Sequence, residues 1–116
     1  LYLKGRANRI INVAGVKVHP EAIEQALLAH QDVADAAVVG LDDPRRGQRL
    51  AAVVMLRREA DRASLSAHCR EALGPRMTPQ SFFRAVALPQ TRSGKVAVDT
   101  LRQALMRGDP AYEALE

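Results

Sequence analysis

Tryptophan is absent, and two tyrosines and two phenylalanines make up the whole aromatic complement of 116 residues. A core must therefore be assembled from Ala, Val, Leu and Ile, and a broad stacking platform for nucleobases is not available. A single cysteine, Cys69, excludes an internal disulfide and a cysteine-built zinc cage, and it fits a reducing cytoplasm. No apolar run approaches the ~20 residues that a membrane-spanning helix needs. His19, His30 and His68 are scattered without ligand spacing, so they read as surface or packing residues and no metal site is expected. Internal repeats and low-complexity linkers are also absent.

What is present describes an ordinary globular domain, with 47% hydrophobic and 26% charged residues. The length fits one domain over residues 1–116 with a modest core. A net charge of +4 points mildly toward anionic partners. Nucleic acid and small phosphorylated ligands both suit that balance. The arginines are dispersed, however, which counts against a nucleic-acid-binding module. The chain opens on Leu1-Tyr2-Leu3-Lys4, a strand-like run without an initiator methionine, which predicts a piece of a longer polypeptide.

Periodicity divides the rest. Ile10–Val13 and Val16–Val18 are β-branched runs around Ala14-Gly15, which predicts a tight hairpin. Pro20 opens a helix through about Ala29, with Ile23, Ala26 and Leu27 as its apolar stripe and Glu21 and Glu24 serving its positive end. Val33–Gly40 and Leu50–Leu56 read as an antiparallel strand pair with a long connection through Asp42–Gly47. Ser64 is the expected N-cap of a helix through Leu73, stopped by Gly74-Pro75. Leu65, Cys69 and Leu73 recur every four residues, so Cys69 is a packing residue. Phe82–Leu88 reads as a third strand, and Asp99 as the cap of a last helix from Thr100 to about Met106. The predicted fold is α+β: a small antiparallel sheet with packed helices plus an N-terminal β-hairpin.

The most informative stretch is Leu88-Pro89-Gln90-Thr91-Arg92-Ser93-Gly94-Lys95-Val96, which puts one lysine on a short polar loop. Such a lysine is a mobile point charge with three donors, suited to phosphate and carboxylate oxygens. It is not a nucleotide-binding P-loop. That motif needs glycine five residues before the Gly-Lys pair and Ser or Thr after it, where this chain has Pro89 and Val96.

Two separated motifs then agree. Gly5–Val18 followed by Pro20-Glu21-Ala22-Ile23-Glu24 resembles the segment that opens the C-terminal domain of AMP-forming acyl-CoA synthetases, members of the adenylate-forming superfamily. Leu88-Pro89 through Gly94-Lys95 resembles the late lysine motif of the same family, and Val33–Gly40 with Asp43 and Gly47 follows its pattern between the two. The resemblance runs from about Leu3 to Leu105.

It implies a two-step ligase using ATP, with its magnesium held by an upstream domain, and coenzyme A or a phosphopantetheine thiol. The partners implied are that upstream domain and a carboxylic acid, and the fragment alone is expected to be inactive. By resemblance, Lys95 is the adenylation lysine, Arg6 lies near the adenylate ribose and phosphate, and Lys17 faces phosphates in the thiol-transfer pose. Asn12 and Gly15 line the pantetheine tunnel, and Asn8 takes the hinge position within residues 5–9, where the family usually has Asp or Lys. Asn also tolerates unusual backbone angles, which suits a pivot.

Overall fold

The computed structural model describes residues 10–45, 47–90, 92, 94 and 97–115, the side chain of Arg76 excepted. Strands β1 (Ile11–Val13) and β2 (Val16–Val18) pair antiparallel, with Ile11 opposite Val18, Asn12 opposite Lys17 and Val13 opposite Val16. Ala14 (φ 52°) and Gly15 (φ 84°) both adopt positive φ in the two-residue turn. That conformation matches the right-handed twist of the flanking strands, and alanine adopts it at some cost.

Helix α1 (Pro20–Leu28) follows with proline in its first turn, and buries Ile23 and Leu27. Strands β3 (Val33–Asp43) and β4 (Gly47–Leu56) form a long antiparallel ribbon. The expected long connection is thus much shorter, because pairing continues to Asp43 opposite Gly47. A glycine at φ 83° lets the chain reverse there. Helix α2 (Arg62–Leu73) begins earlier than expected. Its cap is Asp61, whose carboxylate accepts the Ser64 N–H at 2.8 Å, and Ser64 lies inside the helix. Gly74 ends it, and a short 3₁₀ turn (Pro75–Met77) leads to β5 (Ser81–Arg84).

Strand β5 lies parallel to β4, with α2 as the crossover between them. The other main-sheet pairings are antiparallel, in the order β3-β4-β5-β6, where β6 is Glu113–Ala114. β5 ends at Arg84 rather than Leu88. The Ala85 N–H still reaches the Val54 carbonyl at 3.0 Å, and the chain then leaves the sheet so that Leu88 can enter the core beside Leu101. Helix α3 (Val98–Met106) starts two residues before Thr100. Asp99 sits in its first turn as a favourable charge near the positive end, not as the cap.

Period-two alternation along β3 and β4 separates two apolar layers. Val38, Leu50, Ala52 and Val54 face α1, α2 and the hairpin, packing with Ile23, Leu27, Leu65, Cys69, Ile11 and Val18. Ala37, Val39, Leu41, Ala51 and Val53 face the other way, onto Leu88 and Leu101. Each fully buried Leu or Ile contributes about 2 kcal/mol relative to exposure. Small residues (Ala37, Ala51, Ala52) keep the sheet thin enough for helices on both sides, which replaces the bulk that scarce aromatics would have supplied. Among the described residues, no helix is long and apolar enough to cross a membrane.

Candidate functional site

The hairpin brings three of the sequence-predicted residues together. Asn12 and Lys17 are directly opposed across β1 and β2, both exposed, on the face turned away from Ile11 and Val18. Gly15 stands at the tip, with nothing within 4 Å of where a Cβ would be. The arrangement follows from alternation: the β-branched side chains anchor one face, and the polar pair is left outward. The exposed Lys17 is therefore carried outward on a short ribbon.

The hairpin rests on the end of the β3–β4 ribbon. The Asn12 N–H donates to Gln48 Oε1 at 3.1 Å. Beneath it, a Cβ on Gly40 would come within 2.8 Å of Ile11 Cγ2 and 2.9 Å of Gln48 Nε2, so glycine there permits the close approach. Neither Gly40 nor Gln48 stood out in the sequence. A glycine interrupting the apolar run Val38-Val39-Gly40-Leu41 was the available signal.

Lys95, Arg6 and Asn8 lie outside the described residues. The ends of the lysine loop are described. Leu88 is buried, and the Ala97 N–H donates to the Pro89 carbonyl at 2.8 Å, closing the base of the loop where α3 begins. Within it, Arg92 and Gly94 are exposed, and Gly94 takes φ 85°. Leu88 and Leu101 belong to the layer on one side of the sheet, whereas Ile11 and Val18 belong to the layer on the other. The hairpin and the loop base thus stand on opposite faces.

A model of the AMP-binding enzyme C-terminal domain matches residues 22–95. The chain belongs to that family. Among its relatives, the acetyl-coenzyme A synthetase of Deinococcus radiodurans is 44% identical over 108 residues, covering 91% of this chain and 16% of the relative. The sulfoacetate–CoA ligase of Cupriavidus necator is 43% identical, covering 82% of this chain and 19% of the relative. Brucella canis acyl-CoA synthetase superposes with a TM-score of 0.82 at 34% identity, over 90% of this chain and 20% of that structure. The chain spans about a fifth or less of the length of these proteins.

Other polar clusters on this AMP-binding enzyme C-terminal domain have structural explanations. His68 Nε2 donates to the Ala26 carbonyl at 2.6 Å, joining α2 to the end of α1. His30 Nδ1 accepts the Asp32 N–H at 3.1 Å, which leaves Nε2 as the protonated nitrogen facing Ser64 Oγ at 3.2 Å. A ring in that tautomer cannot take the serine proton, so the pair is not a nucleophile–base dyad. A cavity of about 550 Å³ opens at the far end of β4 and β5. Its Arg84 is shared between Glu59 and Glu113, whose hydrogen bonds and charges hold the guanidinium still more firmly protonated. Among the described residues, no group of three or more His, Cys, Asp or Glu side chains could hold a metal ion.

Proposed function

We propose that residues 1–116 form the swinging C-terminal domain of an AMP-forming carboxylic acid–coenzyme A ligase. In the first step a carboxylate oxygen attacks the α-phosphorus of ATP, an O–P bond forms and pyrophosphate leaves. In the second, a thiol sulfur attacks the acyl carbon, a C–S bond forms and AMP leaves. The observation that carries this reading is the opposed placement of the hairpin and the lysine-loop base on two faces of one sheet. A domain docking one face at a time against a larger partner can serve two chemically different steps in turn.

Lys95 takes the first step. Two anions must meet when carboxylate approaches phosphate, and a positioned ammonium lowers that repulsion and stabilises charge in the in-line transition state. Arg6 accompanies it at the adenylate ribose and phosphate. Asn8 is the pivot. The hairpin takes the second step, with Asn12 and Gly15 beside the pantetheine arm and Lys17 toward phosphates. The acyl pocket, the phosphate loop and the magnesium that accompanies ATP belong to the upstream domain. The coenzyme A ligases among the relatives favour that acceptor over a carrier protein's phosphopantetheine. The lone reduced thiol favours the cytoplasm.

The test uses the intact parent enzyme. Lys95→Ala should cut ATP–pyrophosphate exchange by roughly a hundredfold or more, while thioester formation from supplied acyl-adenylate continues. Equal loss of both half-reactions would count against the assignment.

A further inference from the structure

We propose that Gln48 is a positioning residue for the thiol half-reaction, clamping the hairpin that carries Asn12, Gly15 and Lys17; this rests on the ligase reading above. With a two-residue turn, Val13 and Val16 form a hydrogen-bonded pair, so the next pair, Asn12 and Lys17, is non-hydrogen-bonded. The Asn12 N–H therefore points away from β2 and needs an acceptor elsewhere. Gln48 Oε1 supplies it at 3.1 Å.

The clamp matters because the hairpin is short. Three residues per strand do not hold a fixed geometry alone in water. Ile11 and Val18 pin it by apolar contact, which is non-directional. The bond to Gln48 adds direction, and it fixes the backbone of Asn12 itself. Gly40 is the companion feature: only without a Cβ can Ile11 and the Gln48 amide both lie against β3, at the 2.8 and 2.9 Å that a side chain would occupy. The carbonyl of Asn12 is also the nearest atom, at 3.9 Å, to a Cβ position on Gly47. The hairpin thus sits over three neighbouring residues of the β3–β4 ribbon. Gln48 itself is half-buried beneath the hairpin, and its side-chain oxygen is taken up by the Asn12 N–H, so it acts through the hairpin.

The experiment compares wild-type parent enzyme with Gln48→Leu, Gln48→Glu and Gly40→Ala. Three quantities are read: pyrophosphate exchange, kcat and KM for coenzyme A with supplied acyl-adenylate, and amide hydrogen exchange of the peptide spanning residues 10–18. Gln48→Leu should lower the thiol-step kcat roughly 10- to 100-fold, the scale of an ångström of misplacement. Exchange at the hairpin amides should quicken, with pyrophosphate exchange held within about twofold. Gln48→Glu retains an acceptor oxygen and should restore both kcat and amide protection, which a merely structural loss would not do. Gly40→Ala should repeat the Leu defect through Ile11 and Gln48, and it supplies the answer if Gln48→Leu fails to fold. An unchanged thiol step in Gln48→Leu, parallel loss of pyrophosphate exchange, or no rescue by Glu each overturns the proposal alone. A wild-type parent that performs neither half-reaction overturns the ligase reading and this inference with it.

Discussion

Cys69 is the single thiol of the 116 residues. It lies on the apolar stripe of α2, fully buried against the sheet, and desolvation pushes its thiol from 9.0 up to about 11. The unfolded chain releases that proton near pH 9, whereas the folded chain keeps it until about pH 11. The folded state therefore binds more protons in that window. Stability is undiminished below pH 9 and falls as pH rises from 9 to 11, by at most about 3 kcal/mol. Comparing urea midpoints of wild type and Cys69→Ala at pH 8 and pH 10.5 removes the contribution of lysines and tyrosines common to both. The alanine variant should start lower, because of its cavity, and decline less steeply. Identical declines would show that the thiol does not ionise on unfolding. The same burial makes Cys69 a poor nucleophile, in line with its four-residue spacing in the sequence.

At the scale of the element, β3 is the informative case, because it is an eleven-residue strand with β4 on one side and, among the described residues, no strand on the other. Such an edge invites pairing with another chain. Two of its outward N–H groups are taken by carboxylates: Val38 donates to Glu24 Oε2 and Ala36 to Asp35 Oδ1, both at 2.8 Å. Glu24 is thus more than a charge at the start of α1, since it ties that helix to the sheet. Glu24→Ala should lower the unfolding free energy by about 1–2 kcal/mol and increase concentration-dependent association. Glu24→Gln, which keeps an acceptor, should retain most of both. Urea titration with sedimentation velocity would read the two effects, and an unaltered midpoint in Glu24→Ala would remove the tie from the account.

The Glu24–Val38 tie joins residues fourteen apart in the chain, a contact that local pattern does not encode. The hairpin, both strands of the ribbon and all three helices were legible, because β-branched alternation, Pro20, Gly74 and four-residue spacing are local signals. Strand ends were less so. Asp43 and Gly47 pair in the ladder although their residue types say turn, and Ser64, expected as the cap, lies inside the helix that Asp61 caps. The parallel setting of β5, the short β6 and the acceptors Glu24 and Gln48 depend on contacts between residues far apart in the chain. In the candidate site, the hairpin that carries Asn12, Gly15 and Lys17 is legible from local pattern, whereas its support, Gln48 and Gly40, is not. That support consists of a side chain meeting a distant backbone group, which no local pattern encodes.

Taken whole, the domain sets the hairpin and the loop base on opposite faces of one sheet, and Gly15 offers a test of whether the two act independently. Its φ of 84° strains any L-residue, so loss of function on substitution could reflect a distorted turn rather than a blocked ligand path. Alanine separates these causes, because it bears the same strain as a large residue and is small. Among the described residues nothing lies within 4 Å of a Cβ at Gly15, so an added methyl meets no neighbour within the domain. In the intact parent, Gly15→Ala should keep the thiol step within a few-fold, and Gly15→Trp should abolish it, reading ~100-fold or more for a blocked approach. Both should leave pyrophosphate exchange largely intact, because the base of the lysine loop stands on the far face. Equal losses in Ala and Trp would assign the defect to turn strain. A fall in pyrophosphate exchange matching the loss of thioester would mean that the two faces do not act separately, and the alternating use of this domain would have to be abandoned.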